Sequence, residues 1–95
     1  MGGKKTIEEV VSEADVVIIG PNLAVALKYD SATMRAPEVI ARGEHDKAEE
    51  IGNVARSHII PIVDDETLAR ILFNAVKIGQ KIRTSHYRLV AEVLP

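Results

Sequence analysis

The stretch Asp15-Val-Val-Ile-Ile-Gly-Pro-Asn-Leu-Ala-Val-Ala-Leu-Lys-Tyr-Asp30 decides the fold of this chain. It holds two apolar runs, Val16 to Ile19 and Leu23 to Tyr29, separated by the turn Gly20-Pro21-Asn22. The runs are too short for helices and carry β-branched residues, which favours strands. Neither run alternates apolar with polar residues, so both faces of each strand must be covered. The stretch therefore predicts two central strands joined by a turn.

A short helix is expected before the first strand. Thr6 and Glu9 have the spacing of a capping box, in which each side chain satisfies an otherwise unpaired amide. Apolar residues then recur at helical intervals, at Ile7, Val10, Val11 and Ala14.

After a polar loop, the chain predicts a strand, a helix and another strand. Residues 38–42 form the first strand, which Gly43 ends, residues 44–57 form a helix with one apolar face, and residues 59–63 form the next strand. This order implies a right-handed crossover with the two strands parallel. Pro61 cannot donate to a ladder, so its strand is expected at a sheet edge or to begin near Pro61.

Two further helices complete the expected fold. Asp65 can cap the first and Gly79 can end it, while Thr84 or Ser85 can cap the second. The apolar face of the first contains Leu68, Ile71, Leu72 and Ala75. The predicted fold class is α/β, a small four-stranded mixed sheet flanked by about four helices.

Composition limits what the protein can bind. The chain has 95 residues and no cysteine, carries a net charge of −2, and only 3% of its residues are aromatic. Nucleic acid is not an expected partner, because a basic surface and stacking side chains are both lacking. The longest apolar run, residues 16–27, is too short to span a bilayer, which needs about 20 residues. We expect a flexible leader over residues 1–5 and one soluble domain over residues 6–95.

No cofactor or metal is expected. His45, His58 and His86 follow no recurrent ligand spacing and fall on separate elements, which favours surface or capping roles. The run Asp64-Asp65-Glu66 begins a helix, where negative charge is favoured, so it is interpreted as a cap and not as a catalytic pair. Residues 16–21 look like the start of a dinucleotide fold, but the further glycines and the following helix are missing.

Several separate motifs carry a family resemblance. They are the opening stretch, Met34-Arg-Ala-Pro-Glu-Val-Ile-Ala-Arg-Gly43, Ile60-Pro-Ile62, Leu68-Ala-Arg70 and Tyr87-Arg-Leu-Val-Ala-Glu-Val-Leu94. Together they resemble the cytoplasmic domain of the FlhB and YscU family, the switch proteins of flagellar and virulence type III export. The resemblance covers nearly the whole chain from Ala14 to Leu94. It departs at Arg83, where the family usually has proline before the last helix.

A second departure lies in the turn between the first two strands. In the family this turn reads Asn-Pro-Thr-His and cuts itself, because the asparagine side-chain nitrogen attacks its own backbone carbonyl and expels the proline nitrogen. Here it reads Gly20-Pro21-Asn22-Leu23, one residue shorter and without a carboxamide before the proline. The resemblance therefore implies a degenerate cleavage loop, an uncut chain and no enzymatic activity. Two alternatives stay open: self-cleavage at a shifted site near Asn22, and a soluble stand-alone adaptor.

The last expected helix indicates partner binding. Its apolar residues are more than so small a domain can bury, which favours an exposed patch. They are Tyr87, Leu89, Val90, Ala91, Val93 and Leu94. In the resembled family, an Ala-Pro pair and the alanine and leucine of an Ala-Glu-Val-Leu ending receive early export substrates. Those positions match Ala36, Pro37, Ala91 and Leu94, although Leu94 could instead pack on residues that would follow Pro95 in a longer chain.

The resemblance also implies partners and a location. The expected partners are export substrates, namely rod and hook or needle subunits, with other export-gate components and the hook- or needle-length control protein. The parent protein of the family is embedded in the membrane. The resemblance thus places this domain at the cytoplasmic face of the bacterial inner membrane.

Overall fold

The computed structural model describes residues 6–30, 32 and 36–82. In chain order the elements are α1 (Ile7–Val11), β1 (Val16–Gly20), β2 (Leu23–Lys28), β3 (Glu38–Glu44), α2 (Asp46–Ser57), β4 (Ile62–Asp64) and α3 (Glu66–Ala75). The predicted mixed four-stranded sheet with flanking helices is confirmed. The last expected helix, with its cap at Thr84 or Ser85, lies outside the described residues.

The sheet has the strand order β3-β2-β1-β4. β2 is antiparallel to both β1 and β3, and β4 is parallel to β1. Both strands of the opening stretch are therefore central, as predicted. β3 and β4 run in the same direction, also as predicted, but they lie at opposite edges, so the connection through α2 passes across both central strands. The edge position of β4 agrees with Pro61, whose carbonyl accepts a hydrogen bond from the Val17 N–H at 2.9 Å.

Helices cover both faces of the sheet because the strands are apolar on both faces. Val16 and Ile18 are completely buried in a cluster that includes Leu68 and Leu72 of α3. Val17, one residue along the strand, is completely buried in the opposite cluster with Ile51 of α2. This alternation is the strand period of two, and it divides the core into an α3 side and an α1–α2 side.

Both capped helix starts are confirmed. At α1, the Glu9 N–H donates to Thr6 Oγ1 at 3.1 Å, and the Thr6 N–H donates to Glu9 Oε1 at 3.3 Å. At α3, Asp65 Oδ1 accepts from the Leu68 N–H at 3.0 Å, so this part of the acidic run acts as a cap. The predicted end of α3 at Gly79 is wrong, because the helix stops at Ala75.

The boundary between β3 and α2 differs from the prediction. The strand continues through Gly43 to Glu44, and the helix begins only at Asp46. A Cβ atom on Gly43 would lie 2.6 Å from Lys47 Cγ, so the glycine is there to let the first turn of α2 approach the strand. The chain reverses instead at His45, which has a φ of 54°.

The end of α2 also differs, because Ile59 and Ile60 are not part of β4. The Ile60 N–H donates to the Ala55 carbonyl at 2.8 Å and the Ile59 N–H donates to the Arg56 carbonyl at 3.2 Å, which is the Schellman pattern. Ile59 occupies the left-handed position of that motif with a φ of 56°, where glycine is usual. Its side chain is 90% exposed, so the position carries backbone strain with no burial to offset it.

Replacing Ile59 by glycine should stabilise the domain. A β-branched residue in the left-handed region destabilises the folded state by about 1–2 kcal/mol. Glycine removes this strain, but it loses more backbone entropy on folding, which cancels part of the gain. We expect Ile59→Gly to raise the free energy of unfolding by about 1 kcal/mol in urea titrations. Ile59→Ala keeps a Cβ atom and is the matched control, for which little gain is expected. A destabilised glycine variant would show that the exposed side chain makes a stabilising contact.

Candidate functional site

The turn between β1 and β2 is a two-residue hairpin connection. Gly20 and Leu23 face each other in the ladder, and Pro21 and Asn22 form the exposed tip. Among the described non-glycine residues, His45 and Ile59 are the two with positive φ, so Asn22 has a negative φ. This excludes types I′ and II and agrees with a type I turn. The residue before the proline is thus fixed in a strand.

A backbone hydrogen bond joins this turn to the start of α2. The His45 N–H donates to the Asn22 carbonyl oxygen at 3.0 Å. His45 takes part from an unusual backbone conformation, with φ of 54° and ψ of −120°, and its side chain does not cap the helix. No sequence pattern indicates this contact, because the two residues belong to different loops.

The turn borders an open cleft of about 420 Å³. All four residues of the predicted cleavage loop line it, together with His45 and with residues of α2 that include Glu49 and Arg56. Gly20 offers no side chain to this space. A Cβ atom at residue 20 would lie 3.3 Å from Glu66 Cα, so a larger side chain there would press on the first turn of α3.

The predicted docking residues are only partly within the described residues. Ala36 is half-buried and Pro37 is fully buried, while Ala91 and Leu94 lie outside. A proline has no N–H to donate, and the carbonyl of Pro37 accepts from the Ile82 N–H at 2.9 Å. Of this pair, only Ala36 is therefore partly exposed to solvent. Pro37 is buried, and its carbonyl holds the chain at Ile82.

Residues 77–82, here called the strap, lie along the outer edge of β3. The Val39 N–H donates to the Gln80 carbonyl at 3.0 Å, and the Gly79 N–H donates to the Val39 carbonyl at 2.8 Å. Glu38 and Lys81 form an antiparallel bridge between these bonds and the Pro37–Ile82 bond. The strap thus shields the β3 edge, and it brings the chain to Ala36 immediately before the segment that contains Ala91 and Leu94.

The described histidines lie apart. His45 precedes α2, and His58 ends it with its Nε2 atom 3.3 Å from Glu8 Oε2. His86 lies outside the described residues. Within residues 6–30, 32 and 36–82, no three side chains of the His, Cys, Asp or Glu types come close enough to hold a metal ion. Over the same residues, no helix has the length and apolar character needed to cross a bilayer.

With this geometry in place, comparison with known proteins gives a family. Residues 3–95 match the model described as the FlhB HrpN YscU SpaS family. The chain belongs to this family. It is 39% identical to the flagellar biosynthetic protein FlhB of Borreliella burgdorferi over 85 residues, and 47% identical to that of Buchnera aphidicola subsp. Acyrthosiphon pisum over 83 residues. These alignments cover 88% and 86% of the chain but only 23% and 22% of the FlhB proteins.

Solved structures of the FlhB/YscU family have the same fold. The cytoplasmic domain of FlhB from Shewanella putrefaciens superposes with a TM-score of 0.87 at 39% identity, covering 92% of this chain and 67% of that one. A mutated EscU C-terminal domain gives a TM-score of 0.89 at 28% identity, covering 93% and 89%. The resemblance inferred from the motifs is thus confirmed, and the chain has the fold of the solved FlhB and EscU C-terminal domains.

Proposed function

We propose that this domain docks export substrates for a type III export apparatus of the flagellar kind and takes part in changing which substrates are accepted. The observation that carries the proposal is the family match over residues 3–95, supported by flagellar FlhB relatives. The chain corresponds to less than a quarter of those relatives, so the activity of a whole FlhB is itself part of the proposal. Residues 6–95 would be the functional domain, after a leader over residues 1–5. The parent protein would hold it at the cytoplasmic face of the inner membrane.

The proposed docking patch consists of Ala36, Pro37, Ala91 and Leu94. Its support within the described residues is the strap, which brings the chain from α3 back to Ala36-Pro37 through the Ile82 bond. Pro37 is already fully buried within the domain, so the area available for docking comes from the other small or medium apolar side chains and is far less than the roughly 1,200 Å² of a stable interface. Binding should therefore be transient, with micromolar or weaker affinity, which suits substrates that must be released. Rod and hook or needle subunits are the proposed ligands, with gate components and the length-control protein as further partners.

Titration with a synthetic N-terminal segment of a rod or hook subunit tests this patch. Ala91→Asp places a charge in an apolar contact, so binding followed by amide chemical shifts should be abolished. Glu92→Ala alters the neighbouring polar residue and is the matched control, for which the affinity should barely change. If wild type and Ala91→Asp bind equally, the patch does not receive substrates.

We also propose that the chain does not process itself. The supporting observation is Gly20, which has no carboxamide to attack the carbonyl before Pro21. One geometric observation favours the alternative of a cut after Asn22. The His45 N–H donates to the Asn22 carbonyl, and such a donor would stabilise the oxyanion that forms if the Asn22 side chain attacked that carbonyl. The leaving group would then be the amine of Leu23, released from an ordinary secondary amide and not from the tertiary amide of an X–Pro bond.

A further inference from the structure

Arg42 of β3 reaches across to the end of α3. Its Nη1 atom donates to the Phe73 carbonyl at 2.5 Å and to the Val76 carbonyl at 3.2 Å. The guanidinium carbon lies 4.8 Å from the centre of the Phe73 ring. The last carbonyls of a helix have no partners within the helix and favour a positive charge nearby. Arg42 donates to two such carbonyls, places its charge at this helix end and stacks on the Phe73 ring.

The contact lies where the chain leaves α3 and enters the strap. Val76 is the C-cap of α3 and directly precedes the strap, and its side chain is only 2% exposed. At the far end of the strap, Ile82 is 4% exposed in the same core cluster. The strap is therefore held at both ends by buried side chains, and at its first end also by the guanidinium of Arg42.

We infer that Arg42 is a positioning residue for substrate docking, and this inference rests on the proposed function. By fixing the end of α3 to β3, Arg42 sets where the strap begins and how it passes the Ala36-Pro37 pair, which is the part of the proposed patch within the described residues. The planar guanidinium can donate to two carbonyls while stacking on a ring, which the single ammonium of lysine cannot reproduce. A lysine at position 42 would keep the positive charge but would not hold the end of α3 as arginine does.

Hydrogen exchange provides the first test, on the full chain. The amides of Val39, Gly79 and Ile82 donate three bonds that join the strap to Pro37 and to Val39 of β3. In Arg42→Lys these amides should exchange about tenfold faster, because hydrogen bonds to a charged donor are lost or weakened. Amides of β1 and β2 should keep their wild-type rates.

Arg70→Lys is the matched control, because Arg70 is on α3 but makes an exposed pair with Glu66 at 2.7 Å. It should leave the strap amides and the docking affinity unchanged. Unchanged strap exchange in Arg42→Lys would overturn the inference. Arg42→Met extends the series, and the lysine variant keeps the test valid if the methionine variant does not fold.

A disulfide between the strap and β3 tests whether Arg42 acts by positioning the strap or only by stabilising the domain. Glu38 and Lys81 are a non-hydrogen-bonded antiparallel pair, whose Cα atoms are about 4.5 Å apart in such ladders, within the range for a disulfide. The natural chain has no cysteine to interfere. In Arg42→Met with Glu38→Cys and Lys81→Cys, the oxidised protein should regain both slow strap exchange and substrate-segment binding, and reduction should remove both.

The outcomes distinguish this inference from the docking proposal itself. Arg42→Lys should bind the rod or hook segment about tenfold more weakly than wild type, in proportion to its faster strap exchange. A disulfide that restores slow exchange but not binding would overturn the positioning role. If wild type and Ala91→Asp bind equally, the docking proposal fails, and the inference fails with it even where the strap exchange changes as expected.

Discussion

After several days at neutral pH, the chain should give a single full-length mass under denaturing conditions. Cleavage by asparagine cyclisation needs a carboxamide on the residue before the proline, and Gly20 supplies none. Gly20→Asn restores that group and is expected to produce fragments slowly, because residue 20 is paired with Leu23 in the ladder and its Cβ would crowd Glu66. Gly20→Ala adds the same crowding without the nucleophile and should stay intact.

Fragments from the wild-type chain would contradict this expectation, and their masses would identify the site. A break between Gly20 and Pro21 would require a nucleophile other than a carboxamide. A break between Asn22 and Leu23 would support the shifted site, and Asn22→Ala should then abolish it. An intact Gly20→Asn variant would show that the shortened hairpin is a second obstacle, independent of the missing side chain.

The second large effect concerns the core. Ile18 is completely buried at the centre of the sheet, between β2 and β4 and beneath α3. Ile18→Ala removes most of this side chain and leaves a cavity, so the free energy of unfolding should fall by about 2–5 kcal/mol. That is a large share of the roughly 5–15 kcal/mol that stabilises a typical domain. Urea titration should show a lower midpoint with an unchanged slope.

Ile78→Ala is the matched control for this core substitution. Ile78 lies in the strap and is 53% exposed, so its truncation should change stability by no more than about 0.5 kcal/mol. A loss below 1 kcal/mol for Ile18→Ala would mean that helix α3 closes over the cavity. Such closure would imply a softer packing of α3 on the sheet than its buried leucines indicate.

The parts of the fold that local chemistry determines were predictable from the sequence. The capping box at Thr6 and Glu9, the cap at Asp65 and the start of β4 directly after Pro61 each depend on one or two neighbouring residues. The two central strands were predictable because burial on both faces leaves residues 16–19 and 23–27 without a polar residue. The presence of one apolar face on α2 was predicted from its helical period, and Ile51 and Ala55 on this helix are buried.

The errors have two causes, which are a contact that a residue makes with another element and a backbone state that the residue type disfavours. Gly43 was expected to end β3, whereas its lack of a side chain serves the approach of Lys47. Ile59 was assigned to β4 because β-branched residues favour strands, yet it occupies a left-handed cap. The opposite edges of β3 and β4 depend on how many strands the crossover spans, which no local pattern encodes.

For the candidate site, the sequence identified the turn and the Ala36-Pro37 pair through family motifs. It did not identify the His45 bond to Asn22 or the Arg42 contact with the end of α3. Both are side chain or backbone contacts to a carbonyl oxygen, and every residue has such an oxygen. The sequence therefore does not indicate which carbonyl oxygen accepts a bond, and only the fold shows which donor reaches it.

The central position of β1 has a consequence for chain continuity. β1 is paired along one edge with β2 and along the other with β4, while the covalent link at Pro21 and Asn22 lies beyond the ladder. A peptide ending at Gly20 and a second peptide starting at Pro21 would contain every partner needed to rebuild the same sheet, as the halves of a split protein do. Interrupting the backbone there would add two charged chain ends beside the cleft and leave the architecture intact. A partner that responds to such a break would therefore detect a change in the surface near the cleft and not a change in the fold of the domain.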